Sequence, residues 1–191
     1  LVNMYGKCGC IDQARKVFNE LPCRDVVSWT SLISLHGGNG DIKEAFCCYK
    51  RMQFEGVIPN SATFVNILMA CGDLGAIEEG RKIHIDIEHE GILGAEFVGN
   101  TLIRMYVKCG LLVKAREVFD ELPTQDVITW NLLIAGYSNH GHDEKAWHYF
   151  QQMKLNGLLP DAVTFSCVLK ACTNTGSLEI GVEMHAEVMK K

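Results

Sequence analysis

The chain carries the same sentence twice. "LVNMYGKCGCIDQARKVFNELPCRDVVSW" opens it, and "LIRMYVKCGLLVKAREVFDELPTQDVITW" returns later, so that Cys8/Cys109, Trp29/Trp130, Pro59/Pro160 and His84/His185 are all 101 residues apart (109 − 8 = 101). Sliding residues 1–90 onto 102–191 without a gap gives about 32 identities, far above chance. A period of this kind constrains the fold strongly. Each repeat must be a small structural unit that buries its apolar face only by stacking on its neighbours.

A finer period lies inside the long one. In "VVSWTSLISLHGGNGDIKEAFCCYKRMQFEGVIPN" an apolar stripe runs through Trp29, Leu32 and Ile33, breaks at Gly37-Gly38-Asn39-Gly40, and resumes at Ile42, Ala45, Phe46, Tyr49 and Met52. Apolar residues at i, i+3, i+4 and i+7, with Gly and Pro where the stripe stops, predict helix, turn, helix. The cadence divides the chain into a partial repeat 1–25, complete repeats 26–60, 61–95, 96–126 and 127–161, and a partial repeat 162–191. Together they predict one continuous all-α repeat domain, an α-solenoid. The 96–126 repeat lacks one helical turn in its second half. Small residues at matching sites, Ala14/Ala115, Ala45/Ala146 and Ala70/Ala171, allow close helix approach, while Phe18/Phe119 and Leu68/Leu169 are expected to fill the interfaces.

Composition narrows the class. The chain is 48% hydrophobic and 21% charged, ordinary for a folded domain. It contains no run of eighteen apolar residues, which argues against a spanning helix. No signal or transit pattern opens the sequence, and both ends fall in mid-pattern, so it reads as a piece of a longer array. Nine cysteines are an odd number with no convincing zinc spacing, the nearest being Cys8-x-Cys10 and Cys47-Cys48. The repeat pairs Cys8/Cys109 and Cys71/Cys172 end apolar stretches and are expected to be buried thiols.

Wording and period together resemble the plant pentatricopeptide repeat family, in its arrays that alternate P, L and S repeat types. "MYGKCG" and "MYVKCG", each followed by "ARKVFNELPCRD" or "AREVFDELPTQD", look like S-type repeats; "VVSWTSLI…GVIPN" and "VITWNLLIAGY…GLLPD" look like P-type repeats; "SATFVNILMACGDLGAIEEGRKIH" looks like an L-type repeat. The resemblance implies a right-handed superhelix that binds single-stranded organellar RNA, each repeat facing about one base. It implies that base choice lies with the fifth residue of each first helix and the last residue of the same repeat. Carried onto this chain, the base-reading residues are Thr30 with Asn60, Asn100 with Asp126, Asn131 with Asp161, and Ser166, whose partner lies beyond Lys191. Thr30/Asn60 resembles an adenine reader and the two Asn/Asp pairs resemble uracil readers. Val65 and Ala95 offer no side-chain hydrogen bond, so repeat 61–95 is expected to space rather than read. With the N-terminus toward the RNA 5′ end, the implied target is 5′-A-N-U-U-3′. The resemblance also places Val27, Ala62, Phe97, Ile128 and Val163 as residues that sandwich the bases.

Plain helix chemistry offers another role for some of these groups. Asp25, Asn60, Asp126 and Asp161 each stand just before a helix, where N-caps are expected, and a cap can coexist with a base contact. Charge opposes strong RNA binding: 18 basic against 23 acidic residues give a net charge of −5. Lys7, Lys108 and Arg104 are the cations expected near the inner face. Three reading pairs at roughly 1–3 kcal/mol each, reduced by the cost of ordering the strand, imply micromolar or weaker affinity.

Arrays of this type resemble those ending in a cytidine-deaminase-like domain, which implies guidance of C-to-U editing, with editing cofactor proteins as further partners. Deaminase chemistry needs an H-x-E with a later C-x-x-C, and no C-x-x-C occurs here. His84 in "HIDIEHE" recurs as His185 and reads as packing; "NHGHDEKAWHYF" reads as a hydrophilic turn. The sequence therefore predicts no catalytic residue, cofactor, metal, membrane span or small-molecule substrate in this chain. The alternatives are a factor for RNA stabilisation, processing or translation, or a protein-binding helical scaffold. The compartment implied by the resemblance is chloroplast or mitochondrion.

Overall fold

The computed structural model describes residues 2–7, 9–95, 97–175 and 182. Cys8, His185 and the part of the last repeat from 176 onward, residue 182 apart, lie outside the described residues, as does the side chain of Lys7. The described secondary structure is entirely helical, in the order α1 (Val2–Lys7), α2 (Ile11–Asn19), α3 (Val26–Gly38), α4 (Ile42–Phe54), α5 (Ser61–Leu74), α6 (Ile77–Glu90), α7 (Val98–Lys108), α8 (Leu112–Glu121), α9 (Val127–Asn139), α10 (Asp143–Leu155) and α11 (Ala162–Thr175). None of these helices is long and apolar enough to cross a membrane. The chain forms two compact blocks, Leu1–Cys109 and Gly110–Lys191.

Local chemistry sets the helix ends. Asp25 caps α3 by accepting from Ser28 N at 2.8 Å, and Asp41 caps α4 by accepting from Glu44 N at 3.1 Å. Asn60 and Thr63 close a reciprocal capping box on α5. The α3–α4 and α9–α10 turns pass through Gly40 and Gly141 at φ 82° and 74°, a region glycine enters without steric cost. The short second helix anticipated for repeat 96–126 is present: α8 spans 10 residues, against 13 in α4 and α10.

In the first block α1, α3, α5 and α7 pack side by side, each hairpin completed by α2, α4 or α6; in the second, α9 packs on both α10 and α11. The core repeats along with the sequence. Phe18 meets Trp29 edge-on with ring centroids 4.7 Å apart, and Phe119 meets Trp130 in the same way at 4.8 Å. Ala14, Ala115, Ala45 and Ala146 are fully buried between helices. Gly37 marks the closest approach of α3 and α5, since a Cβ built there would stand 2.7 Å from that of Ala70.

Leu169 departs from the expectation that it fills an interface. Leu68 is fully buried, but Leu169 is 44% exposed, because α11 is the last described helix and no described helix packs on that side. Cys48, Cys71 and Cys172 are buried and Cys109 is half-buried, whereas Cys23 and Cys47 are exposed. Burial pushes the Cys71 thiol up to about 12, so it stays protonated at neutral pH. His84 takes the packing role its recurrence implied: its ring meets Tyr106 edge-on and Nδ1 lies 2.8 Å from the tyrosine hydroxyl. His140 and His142 flank the α9–α10 turn.

Candidate nucleic-acid interface

In α3, α5, α9 and α11 the second residue is apolar and yet faces solvent. Val27 is 66% exposed, and Ile128, Val163 and Ala62 are likewise exposed at the same register of α3, α9, α11 and α5. Apolar exposure at a repeated register is shared with Phe54/Leu155 and Ile58/Leu159, so what distinguishes this face is the polar cleft beside it. Phe97 differs in detail. It stands one residue before α7 as its N-cap, at φ 64° and 61% exposed. A bulky L-residue in the left-handed region costs roughly 1–2 kcal/mol.

Val27 and Ala62 flank a cleft of about 270 Å³ between α3 and α5, whose remaining lining is Thr30, Ser31, Ser34, Asn60 and Asn66. Two exposed apolar side chains thus stand either side of a polar floor containing both residues assigned as the reader of repeat 26–60. Residues 31, 34 and 66 were not singled out in the sequence. Their counterparts 101 positions on are the less polar Leu132, Ala135 and Cys167.

Hydrogen bonds engage only part of the side chain in the helix-capping members of the expected base-reading set. Asn60 Oδ1 accepts from Thr63 N at 3.0 Å and lies 3.0 Å from Thr63 Oγ1, while its Nδ2 has no partner among the described residues. A backbone N–H demands an acceptor, which fixes the orientation of this amide. Thr30 Oγ1 lies 2.7 Å from Thr63 Oγ1. In the second block, Asp161 Oδ1 accepts from Thr164 N at 2.8 Å and from Asn131 Nδ2 at 3.0 Å, while Oδ2 has no partner among the described residues. Thr164 Oγ1 lies 2.6 Å from Asn131 Oδ1. Asp126 repeats the cap, accepting at Oδ1 from Thr129 N at 2.8 Å and Thr129 Oγ1 at 2.7 Å, again with Oδ2 unpartnered. The backbone N–H of Thr164, with the Thr164 and Asn131 side chains, holds the Asp161 carboxyl below the usual carboxylate range. Asp161 is therefore charged at neutral pH.

Capping and an open polar atom thus coexist: one atom of each side chain holds the helix and the other is unpaired. The open atom is an amide donor at Asn60 and a carboxylate acceptor at Asp126 and Asp161. The buried threonines 63, 129 and 164 connect these groups and were overlooked in the sequence, although they recur in "ATF", "ITW" and "VTF" at the third residue of the helix. Asn131 is mostly buried beneath Asp161, and Ser166 is exposed on α11. Asn100 lies on α7 in the first block, half-buried, and Asp126 lies in the second. Of the cations, Lys108 pairs with Asp73, while Arg104 has no ion-pair partner among the described residues and lines a small cleft between α5 and α7.

Residues 24–73 and 125–174 match the PPR repeat family, and residues 1–26 and 100–127 match the PPR repeat. A chloroplastic pentatricopeptide repeat-containing protein of Arabidopsis thaliana is 38% identical over 190 residues, covering 100% of this chain and 31% of its own length. The chloroplastic protein CRR2 of the same plant is 41% identical over 183 residues, covering 95% and 28%. The chain therefore spans about a third or less of these relatives. Among solved structures, the pentatricopeptide repeat protein PPR10 from maize superposes with a TM-score of 0.79 at 24% identity, over 99% of this chain and 28% of that one. PPR10 in complex with an 18-nt psaJ RNA element gives 0.73 at 22% identity, over 96% and 28%. With family matches across both halves and the helical hairpins that the repeats encode, the chain belongs to the pentatricopeptide repeat family.

Proposed function

We propose that this chain is a sequence-specific single-stranded RNA-binding module in which successive first helices each face one base. The observation that carries the reading is the α3–α5 cleft, where Val27 and Ala62 flank Thr30 and Asn60. An unstacked base between the two apolar side chains would gain contact on both faces, and its Watson–Crick edge would meet the polar floor. Stacking on aromatic side chains is worth about 1–3 kcal/mol per base, and aliphatic residues give less.

The open atoms support the base assignments. Adenine presents an acceptor at N1, which the free Nδ2 of Asn60 can satisfy; uracil presents a donor at N3, which the free Oδ2 of Asp161 or Asp126 can accept. A base of the wrong sense leaves a buried donor or acceptor unpaired, at about 1–3 kcal/mol. With Val65 and Ala95 silent, the target is 5′-A-N-U-U-3′. Relatives named chloroplastic or mitochondrial, and the complex of PPR10 with RNA, support an organellar RNA as ligand. The alternating repeat types favour a role in guiding C-to-U editing, with the deaminase supplied by another domain or protein and cofactor proteins assembling around it.

Fluorescence anisotropy of the purified chain tests the reading directly. Labelled RNAs containing 5′-ANUU-3′ should bind at least five-fold more tightly than those with A and U exchanged, and poly-uridine should compete better than poly-cytidine. Equal affinity for all single strands would refute base reading, and no RNA binding with capture of an extended peptide would favour a protein scaffold.

A further inference from the structure

The helical hairpin of repeat 26–60 holds a side-chain cluster that RNA reading does not use. His36 lies in the last turn of α3, and Glu44 and Cys48 lie one turn apart on α4, so they share a face. The turn folds α4 back on α3 and brings one donor atom from each residue to within 4.8 Å of the others. His36 and Cys48 are each 3% exposed, and Glu44 is half-buried. His36 Nε2 is buried with no hydrogen-bond partner among the described residues. An unsatisfied buried nitrogen costs about 1–3 kcal/mol, and native interiors rarely leave one without a reason.

We propose that His36, Glu44 and Cys48 form a binding site for a borderline divalent cation, best suited to Zn²⁺, that staples α3 to α4 across their turn. The donor set is one imidazole nitrogen, one thiolate and one carboxylate, the mixture zinc accepts in tetrahedral sites with a fourth position left to water. Zinc bonds of about 2.0–2.3 Å bring tetrahedral donors roughly 3.3–3.8 Å apart, so these side chains must draw in by about 1 Å. Charge balances: on binding, the Cys48 S–H bond breaks, its proton leaves to solvent, and sulfur bonds to the metal, so thiolate and carboxylate together neutralise the dication. Arg15 on α2 pairs with Oε1 of Glu44, so the carboxylate has its second oxygen to offer a metal.

The sister hairpin shows the alternative solution at the same place. The positions 101 residues on are Tyr137, Lys145 and Tyr149, with Arg116 for Arg15. There Tyr137 stacks on Tyr149 with centroids 5.0 Å apart, and Lys145 lies over the Tyr137 ring. All three donors have changed together, into a set with no imidazole, thiol or carboxylate. One hairpin is closed by aromatic packing, and its copy carries donors for an ion.

The test is Co²⁺ titration of the purified chain under a non-thiol reductant, followed by the cobalt–thiolate charge-transfer band, with Zn²⁺ displacing the cobalt. One equivalent should bind, and Zn²⁺ should raise the melting temperature in a concentration-dependent way. Cys48→Ser and His36→Gln should each weaken binding at least ten-fold, and the half-exposed Glu44→Gln should weaken it without disturbing the fold. Cys23→Ser/Cys47→Ser, which removes the thiols exposed among the described residues, should leave the band intact. Absence of a band, a band that survives Cys48→Ser, or one abolished by the exposed-thiol variant would overturn the site. If circular dichroism shows Cys48→Ser or His36→Gln to be unfolded, alkylation of the wild-type chain decides: Zn²⁺ should slow modification of Cys48 at least ten-fold more than that of Cys71, and equal slowing would overturn it.

Discussion

Replacing Asp161 with Asn changes one atom at the centre of the proposed reading mechanism. In the folded chain Asp161 Oδ1 accepts from Thr164 N and from Asn131 Nδ2, and Oδ2 takes no partner. Asn keeps Oδ1 as the cap and converts the open acceptor into an amide donor, reproducing Asn60 in the earlier repeat. Because Asn and Asp cap helices about equally well, the cost to stability should stay within about 0.5 kcal/mol. The effect on recognition is larger. A uracil N3–H facing the new donor loses its hydrogen bond and leaves a donor unpaired, at about 1–3 kcal/mol, or about 5- to 150-fold in affinity. Adenine at that position gains a donor for N1, so preference should move from uridine toward adenosine, most fully with Asn131→Thr added. Anisotropy titrations with RNAs differing only at that base, alongside thermal melts followed by circular dichroism, read both quantities. An unchanged base preference with an unchanged melting temperature would show that Asp161 is a cap alone.

Four further outcomes follow from the geometry. Gly37→Val should destabilise the first block by about 1–3 kcal/mol in urea melts, because even a Cβ there collides with that of Ala70 at 2.7 Å. Trp29→Ala should cost about 3–5 kcal/mol, given complete burial and the edge-on contact with Phe18. Arg104→Ala should weaken binding of every RNA alike and reduce the salt slope of log K by about one, since an unpaired guanidinium contributes through phosphate and not through base identity. Asp25 and Asp161 both titrate below their ordinary value of 3.8, the first through the backbone and side chain of Ser28 and the second through Thr164. Depressed carboxyls favour the charged folded form, so their stabilisation is complete above the unfolded pKa and is lost as pH falls below it. Asp25→Asn and Asp161→Asn should each flatten the acid limb of the stability–pH curve while leaving pH 7 nearly unchanged.

The division of information between sequence and structure follows the range of the interactions involved. Helical periodicity, the Gly-rich turns and the caps Asp25, Asn60 and Asp126 act within a few residues, so the hairpins and their order could be read along the chain. The 101-residue repeat then settled that equivalent residues occupy equivalent places, which is why Trp29 and Trp130 sit in the same contact with Phe18 and Phe119. What a single side chain does with each of its polar atoms could not be read in this way. That Thr63 reaches Thr30 from the next hairpin, or that Asn131 donates to Asp161, depends on distances between residues 33 and 30 positions apart. The exposure of Leu169, set by which helices pack beside it, and the meeting of His36 with Cys48 belong to the same class. The sequence by itself determined the repeats, their helices and the face on which equivalent residues recur, because those depend on local propensity and period. Only the tertiary structure decided which polar atoms remain open, because hydrogen bonds are allotted by ångström-scale distances that emerge only when one hairpin packs on the next.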